Sequence, residues 1–225
     1  MPEKVKARFI EPMLLLKTDK LPEGNEWLYE LKHDGYRGIA YKTGGKLYLR
    51  SRNDKDFSAR YPAIAKALSG LPNETVVDGE IVAFDESGKP SFNTLQNHGS
   101  SGVPLLYFVF DVMIVAGRDV TKLPLEARQE LLQAKVLPKL AEPVRYPGVL
   151  NATLNDLIRS VKASGLEGVV AKRRDSLYEV GCVWPPGARC GSTRAKSSSS
   201  ADTRSEARPS MLWSSGATKT TDSCT

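Results

Sequence analysis

The feature that most constrains the fold is a change in composition after Gly181. Residues 182–225 contain ten Ser and six Thr, whereas Val183 and Leu212 are their only branched aliphatic residues. All three cysteines of the chain also lie in this segment. A segment so poor in aliphatic side chains cannot bury enough apolar surface to form a core. We therefore expect one core-forming domain over residues 1–181, followed by a low-order tail over residues 182–225.

Composition excludes several classes of protein. The first 181 residues contain no cysteine, which argues against a disulfide framework or a zinc site. No apolar stretch approaches the roughly 20 residues of a membrane span, and the Met13–Leu16 run is too short for a signal sequence. The net charge of +6 is compatible with a polyanionic partner, but it does not single one out. We expect a cytoplasmic protein without a membrane partner.

Hydrophobic periodicity and turn residues predict an α+β domain with antiparallel sheets. Strands are predicted at residues 27–32, 36–42, 47–52, 75–84, 105–115 and 167–172. Helices are predicted at residues 61–68, 90–96, 125–136 and 154–163. Ser91 is suited to cap the second of these helices. No internal repeat is visible.

The most specific chemical signal is the segment Lys32–Arg37, which reads Lys-His-Asp-Gly-Tyr-Arg. A lysine at a strand end, followed by Asp-Gly, presents its amine at the mouth of a turn. Gly35 permits a positive φ and the close approach of a ligand to the backbone. Arg37 carries a planar guanidinium suited to hydroxyls or phosphate. To attack phosphorus, Lys32 must be neutral, so its pKa of about 10.4 must fall. Taken alone, the segment could also be a solvated hairpin turn.

Three later segments carry further candidate residues. In Val76–Val82, Asp78 and Glu80 share one face of the predicted strand. Phe108–Val112 is aromatic and apolar, and Glu167–Lys172 begins and ends with charged residues. If the last strand were regular, its two terminal charges would lie on opposite faces, so a local twist or bulge is expected there. Taken alone, the Val76–Val82 segment is equally compatible with exposed acids in a hairpin, and Phe110 is more typical of a plain core residue.

Other catalytic classes are poorly supplied. The sequence has neither a Gly-x-x-x-x-Gly-Lys phosphate loop nor a Gly-x-Gly-x-x-Gly dinucleotide turn. His33 and His98 are the only histidines, so a Ser-His-Asp hydrolase finds little support.

These motifs, together with Phe9–Leu14, Trp27–Lys32 and Ser91–Gln96, resemble the ATP-dependent DNA ligases of the covalent nucleotidyltransferase superfamily. The resemblance is to the ligase module of bacterial ligase D, which acts in nonhomologous end joining. It runs from about Phe9 to Gly181, with five motifs in the family's order. It implies a nucleotidyltransferase (ATP-grasp-like adenylation) domain with antiparallel sheets flanked by helices.

The resemblance also implies a role for each matched residue. Lys32 is the expected catalytic nucleophile, which takes AMP from ATP and passes it to a DNA 5′-phosphate. Glu30 is expected at the adenine amino group, with Phe110 stacked on the base. The other residues expected to bind the nucleotide are Arg37, Arg52, Glu80 and Lys172. Glu80 and Glu167 are the expected ligands of Mg²⁺ (or Mn²⁺).

The implied partners are nicked or broken duplex DNA and a Ku-type end-binding protein. The protein is expected to act as a monomer at the nucleoid. Two alternatives stay open: a non-catalytic remnant that binds nucleotide or DNA, and an RNA ligase or capping-type nucleotidyltransferase, because these enzymes share Lys-x-Asp-Gly.

The resemblance stops after Gly181. There the family continues with a Trp-x-Lys-x-Lys strand and then an oligonucleotide-binding fold, and neither follows in this sequence. We expect the C-terminal oligonucleotide-binding fold to be missing and the activity of this chain to be impaired. A shifted reading frame is one hypothesis for residues 182–225, to be tested by resequencing the coding DNA. A natural disordered tail is the alternative.

Overall fold

The computed structural model describes residues 4–18, 20–98 and 103–181, and the backbone of residues 211–214. These residues form two β-sheets with helices packed against them, as the α+β prediction requires. The strands are β1 (Leu16–Lys17), β2 (Trp27–Lys32), β3 (Tyr36–Thr43), β4 (Lys46–Ser51), β5 (Thr75–Ala83), β6 (Leu105–Val115), β7 (Arg118–Asp119), β8 (Val144–Arg145), β9 (Gly168–Arg173) and β10 (Met211–Ser214). The helices are α1 (Pro62–Ala67), α2 (Phe92–Gln96), α3 (Leu125–Leu131) and α4 (Leu154–Ala163).

The larger sheet has the strand order β4-β3-β5-β6-β7, with β8 also paired to β6. All of its pairings are antiparallel except the short β6–β8 pairing. Val77 and Ile81 of β5 face the main hydrophobic cluster, which includes residues of α1, α2 and β6. Val76, two strand positions before Asp78, belongs to a different cluster with the N-terminal segment and Tyr178. The face alternation predicted for β5 is therefore confirmed.

The smaller sheet has the order β1-β10-β9-β2. Its central pairing, β2 with β9, is antiparallel, and the sheet packs on α4 through Val169, Ala171 and the buried face of that helix. Thr153 caps α4 by accepting a hydrogen bond from the backbone N–H of Asp156. Ser91 caps α2 in the same way, as predicted, by accepting from Thr94.

The helix α3 is anchored to β6 by a buried ion pair. Arg128 is 1% exposed and donates to both carboxylate oxygens of Asp111 at 2.8 Å. A π-helical turn, Leu132–Val136, continues α3, so the predicted helix over residues 125–136 is present with a local change of winding. The ion pair fixes which side of α3 faces the sheet, and Gln129 thereby also becomes buried.

The sequence did not predict the short strands β1, β7, β8 and β10. The last of these lies in the segment expected to be a low-order tail, where its backbone pairs with β9 and β1. The rest of residues 182–225 lies outside the described residues, so the domain boundary at residue 181 stays a prediction. Within the described part of the chain, none of the helices has the length and apolar character that a membrane span requires.

Candidate active site

A cleft of about 230 Å³ is lined by side chains from both sheets. It contains all the residues that the sequence predicts to bind nucleotide: Glu30, Lys32, Arg37, Arg52, Glu80, Phe110 and Lys172. The cleft is completed by side chains that were not predicted as site residues: Leu14, Leu15, Leu31, His33, Pro147 and Val170. The structure thus brings together predicted nucleotide-binding residues that are up to 142 positions apart along the chain. Their individual roles stay predictions.

The charged residues of the small sheet share one face because β2 and β9 pair in a regular register. Lys32 lies opposite Gly168, Glu30 opposite Val170, and Leu28 opposite Lys172. The expectation of a twist or bulge within the last strand is wrong, since this ladder has no register shift. Glu167 precedes the first residue of β9, where strand alternation no longer decides the direction of a side chain. The side chain of Glu167 can therefore point towards Lys32.

Lys32 forms an ion pair with Glu167 at the edge of the cleft. The two side chains are 21% and 30% exposed, so water still reaches the pair. Burial lowers the pKa of the Lys32 amine, and the negative charges of Asp34 and Glu80 oppose that shift. Desolvation is therefore the main cause of the lowered pKa.

Glu30 is held more tightly. Its carboxylate accepts a hydrogen bond from Lys172 Nζ at 2.6 Å and another from Gln129 Nε2 at 2.8 Å. Glu30 is 3% exposed, and Lys172 is also buried. A buried charge pair of this kind is tolerated only when further hydrogen bonds satisfy it, and Gln129 supplies one. Nothing in the sequence marked Gln129, which lies in a helix of ordinary apolar spacing.

Arg37 is fixed by Asp78. Its Nε and Nη2 atoms donate to the two Asp78 oxygens at 2.5 and 2.6 Å, and Nη2 also donates to the Met13 carbonyl. The Tyr178 hydroxyl donates to the same carboxylate at 2.6 Å. Burial works against the charge of Arg37, but the Asp78 carboxylate outweighs it and raises the pKa of the guanidinium. Asp78 has no exposed side-chain surface, which excludes an exposed hairpin acid.

Gly35 is needed for a different reason from the one predicted. It is absent from the glycines that have a positive φ. A Cβ atom at this position would instead lie 2.2 Å from the carbonyl oxygen of Ile81 and 2.9 Å from Cγ of Glu80. In this structure the close approach is to β5 of the large sheet, and Gly35 lets the turn after Lys32 pass tightly over that strand.

Two titratable side chains of the cleft have strongly shifted pKa values. Burial raises the pKa of Glu80 to about 7, although Arg37 pulls it down. Burial, reinforced by the charges of Lys172 and Lys32, lowers the pKa of His33 to about 4. His33 stacks on the ring of Phe108 at 4.1 Å with an angle of 4° between the ring planes. At neutral pH His33 is therefore uncharged, and Glu80 keeps its proton to a higher pH than an ordinary carboxyl group.

Phe110 lies at an irregularity of β6. The β5–β6 register passes from Asp78 opposite Asp111 to Gly79 opposite Val109, so Phe110 has no partner in the ladder. Such bulges redirect side chains, and here the ring of Phe110 lines the cleft. Lys172 Nζ lies 4.3 Å from its centroid and the Arg37 guanidinium carbon 4.7 Å. The ring is a neutral partner for two cations, and stacking on adenine stays a prediction.

The donor set fits a divalent cation that shares its coordination with a substrate. Mg²⁺ is usually held by one or two carboxylates together with water and substrate phosphates. Glu80 lines the cleft, and its carboxylate has no hydrogen bond or ion pair to another described residue, while Glu167 contacts Lys32. Among the described residues no group of three or more His, Cys, Asp or Glu could hold a metal alone. The phosphates would therefore have to complete the site.

Comparison with known proteins identifies the family of this domain. The family model of the ATP-dependent DNA ligase domain matches residues 12–184. The chain belongs to this family.

The names of several relatives refer to DNA end joining or DNA repair. The chain is 38% identical over 173 residues to the multifunctional non-homologous end joining protein LigD of Pseudomonas aeruginosa. It is 34% identical over 171 residues to the LigD DNA repair protein of Mycobacterium tuberculosis. Among solved structures, mycobacterial DNA ligase D complexed with ATP superposes with a TM-score of 0.64 at 31% identity, covering 76% of this chain and 56% of that one. The resemblance identified from the motifs is thus confirmed.

The alignments cover 76% of this chain but only 20% of the Pseudomonas protein and 21% of the mycobacterial one. The chain thus corresponds to one part of those multifunctional proteins.

Proposed function

We propose that the cleft of this chain is the adenylation site of an ATP-dependent DNA ligase. ATP binds in the cleft between the sheets, and Lys32 Nζ attacks the α-phosphorus. A P–N bond forms, the bond to pyrophosphate breaks, and AMP is left on Lys32. The AMP then passes to a DNA 5′-phosphate, so that a nick or break can be sealed. The observation that carries the proposal is the position of the Lys32 amine, with its lowered pKa, in one cleft with the other six predicted nucleotide-binding residues.

The electrostatics of the cleft suit the attack. Lys32 must lose a proton before it becomes a nucleophile, and desolvation favours the neutral amine. The carboxylate of Glu167 lies against the amine and is positioned to accept that proton. As the attack proceeds, negative charge builds on the phosphate, and the fixed cation Arg37 lines the same cleft.

The remaining roles follow from the same arrangement. Glu30 would receive the adenine amino group, Phe110 would lie along the base, and Arg52 and Lys172 would contact ribose or phosphate. Glu80 and Glu167 would hold Mg²⁺ or Mn²⁺, which supplies neutralisation of the phosphate charge when bound.

We further propose that self-adenylation and nick sealing by the 225-residue chain are weak or absent. Residues 182–225 contain no Trp-x-Lys-x-Lys motif. Loss of one preorganised cation at a developing charge costs on the order of 10²- to 10³-fold in rate. In the active form of such a ligase, the partners would be nicked duplex DNA and a Ku-type protein, bound by a monomer at the nucleoid.

The test is incubation with radiolabelled ATP and Mg²⁺, combined with a direct measurement of ATP binding. Lys32→Ala is the variant, and Lys66→Ala, an exposed lysine of α1, is the matched control. ATP binding with little or no labelling supports both the cleft and the impairment. Robust labelling that Lys32→Ala abolishes supports the adenylation chemistry and contradicts the impairment. A chain that does not bind ATP contradicts the proposal.

A second candidate is a remnant that binds nucleotide without turnover, and the missing lysine motif favours it for this chain. ATP binding without detectable labelling, even after long incubation, would distinguish it from a slow ligase. Labelling by GTP rather than ATP would instead indicate the capping-type alternative. Sealing of nicked RNA in preference to nicked DNA would indicate an RNA ligase.

A further inference from the structure

Gln129 occupies an unusual position behind the cleft. It belongs to α3, it is 4% exposed, and it faces neither solvent nor the cavity lining. Its side-chain Nε2 donates to Glu30 Oε1 at 2.8 Å and to the backbone oxygen of Phe110 at 3.3 Å. Both neighbours are acceptors, so the amide group of Gln129 can only present its NH₂ end to them.

The two acceptors belong to different walls of the cleft. Glu30 lies in β2 of the small sheet, whereas Phe110 lies in β6 of the large sheet. Phe110 is the residue that the β5–β6 register skips, and Gln129 supplies its carbonyl with a donor. One side chain therefore joins the two sheets at the end of the cleft where Glu30 and Phe110 meet.

Gln129 also restricts what Glu30 can recognise. With Gln129 donating to one oxygen and Lys172 to the other, Glu30 is held as a carboxylate that only accepts hydrogen bonds. A ligand atom facing it must then be a donor. The 6-amino group of adenine meets this requirement, whereas the 6-oxo group of guanine would place two acceptors together.

We propose that Gln129 is a positioning residue that sets the base specificity of the cleft through Glu30 and Phe110. This inference rests on the proposed function, because it assumes that a nucleotide base occupies this end of the cleft. Gln129 does not touch the reacting atoms. Its effect is to fix the orientation and the acceptor character of Glu30, and the position of the Phe110 backbone.

The experiment compares binding of ATP, GTP and inorganic tripolyphosphate by calorimetry. The variants are Gln129→Leu, which removes both hydrogen bonds, and Gln129→Glu, which preserves size but sets a second carboxylate against Glu30. Gln133→Leu, at an exposed position in the π-helical turn after α3, is the matched control. Hydrogen bonds to charged groups are strong enough that ATP affinity should fall by about tenfold or more in both Gln129 variants. The preference for ATP over GTP should narrow, while tripolyphosphate binding stays unchanged.

The tripolyphosphate measurement separates positioning from a general structural role, because it reports the phosphate end of the cleft without a base. ATP binding that survives Gln129→Leu overturns the inference and leaves the proposed function intact. A parallel loss of ATP and tripolyphosphate affinity also overturns it, since a disrupted fold explains that result. If the unsubstituted chain does not bind ATP, both the proposed function and this inference fail.

Discussion

Two ends of one six-residue motif are treated in opposite ways by the fold. Arg37 lies near the start of β3 in the large sheet, where Asp78 and the Met13 carbonyl hold its guanidinium. Lys32 ends the small-sheet wall, where Glu167 holds its amine in an ion pair open to water. The environment raises the pKa of Arg37 but lowers that of Lys32. The motif thus provides one permanent cation and one cation that can become a nucleophile.

The difference shows how the chain separates electrostatic stabilisation from reactivity. A cation that stabilises charge should not move or titrate, and a bidentate carboxylate with no exposed side-chain surface ensures both for Arg37. A nucleophile must be able to lose its proton and leave its ion pair. Accordingly, the partner of Lys32 comes from the segment before β9 rather than from within a sheet.

The fixed end is tested by Asp78→Ala, for which we expect the largest effect. The substitution leaves Arg37 buried without its carboxylate and removes the acceptor of the Tyr178 hydroxyl. The free energy of unfolding should fall by about 3 kcal/mol or more, as measured by chemical denaturation. Asp175→Ala is the control, because Asp175 makes a similar bidentate pair with Arg173 but is 54% exposed. Its loss should cost at most about 1 kcal/mol. Equal losses of unfolding free energy in the two variants would show that Asp78 does not hold Arg37 more strongly than an exposed ion pair would.

Glu80 lies between the two ends and should make stability depend on pH. Its folded pKa of about 7 lies above the ordinary value of 4.5, so the folded state keeps a proton in this window that the unfolded state has lost. Stability should therefore fall as pH rises from 4.5 to 7, by up to about 1.4 kcal/mol per pH unit. The charged groups that set this shift are Arg37, Asp78, Lys32 and Asp34.

Glu80→Gln should remove this contribution, because the amide is neutral at every pH. The measurement is the difference in unfolding free energy between this variant and the unsubstituted chain across the window. The opposite contribution of His33, whose pKa is lowered, is common to both proteins and cancels. Glu86→Gln, in the exposed turn after β5, is the control and should leave the slope unchanged. If Glu80→Gln shows the same dependence of unfolding free energy on pH as the unsubstituted chain, the pKa of Glu80 is not raised by folding.

The adjustable end is tested by Glu167→Gln, for which the smallest effect on stability is expected. Since both partners of this ion pair are partly exposed, its loss should cost about 0–1 kcal/mol. Glu142→Gln, which breaks an exposed pair with Arg145, should give a similar value. A loss of unfolding free energy above about 2 kcal/mol would mean that Lys32, like Arg37, is held by a strong ion pair. That result would contradict the contrast drawn between the two residues.

Local patterns were enough to predict much of this fold. Turn residues, β-branched content and a continuous apolar run predicted β2, β3, β5 and β6 with bounds close to those observed, and Ser91 signalled the start of α2. The shared face of Glu30 and Lys32 also follows from parity along one strand. These features depend on neighbouring residues, whose geometry is the same in any protein.

The features that could not be predicted depend on pairing between distant residues. Gln129 meets Glu30 across 99 positions, and no local pattern identifies a glutamine that faces a carboxylate. The bulge at Phe110 is set by the register of β5 and β6, and β5 also fills the space that a side chain at Gly35 would need. The strand β10 was missed because the composition around it predicts no core.

The proposed position of the ATP phosphates at Lys32 can be tested even if the chain does not catalyse adenylation. The rate at which an amine-reactive reagent acylates each lysine is measured by mass spectrometry, with and without saturating ATP and Mg²⁺. We expect bound ATP to protect Lys32 from acylation, while the exposed Lys66 reacts at an unchanged rate. Unchanged reactivity of Lys32 in a chain that has bound ATP would contradict it.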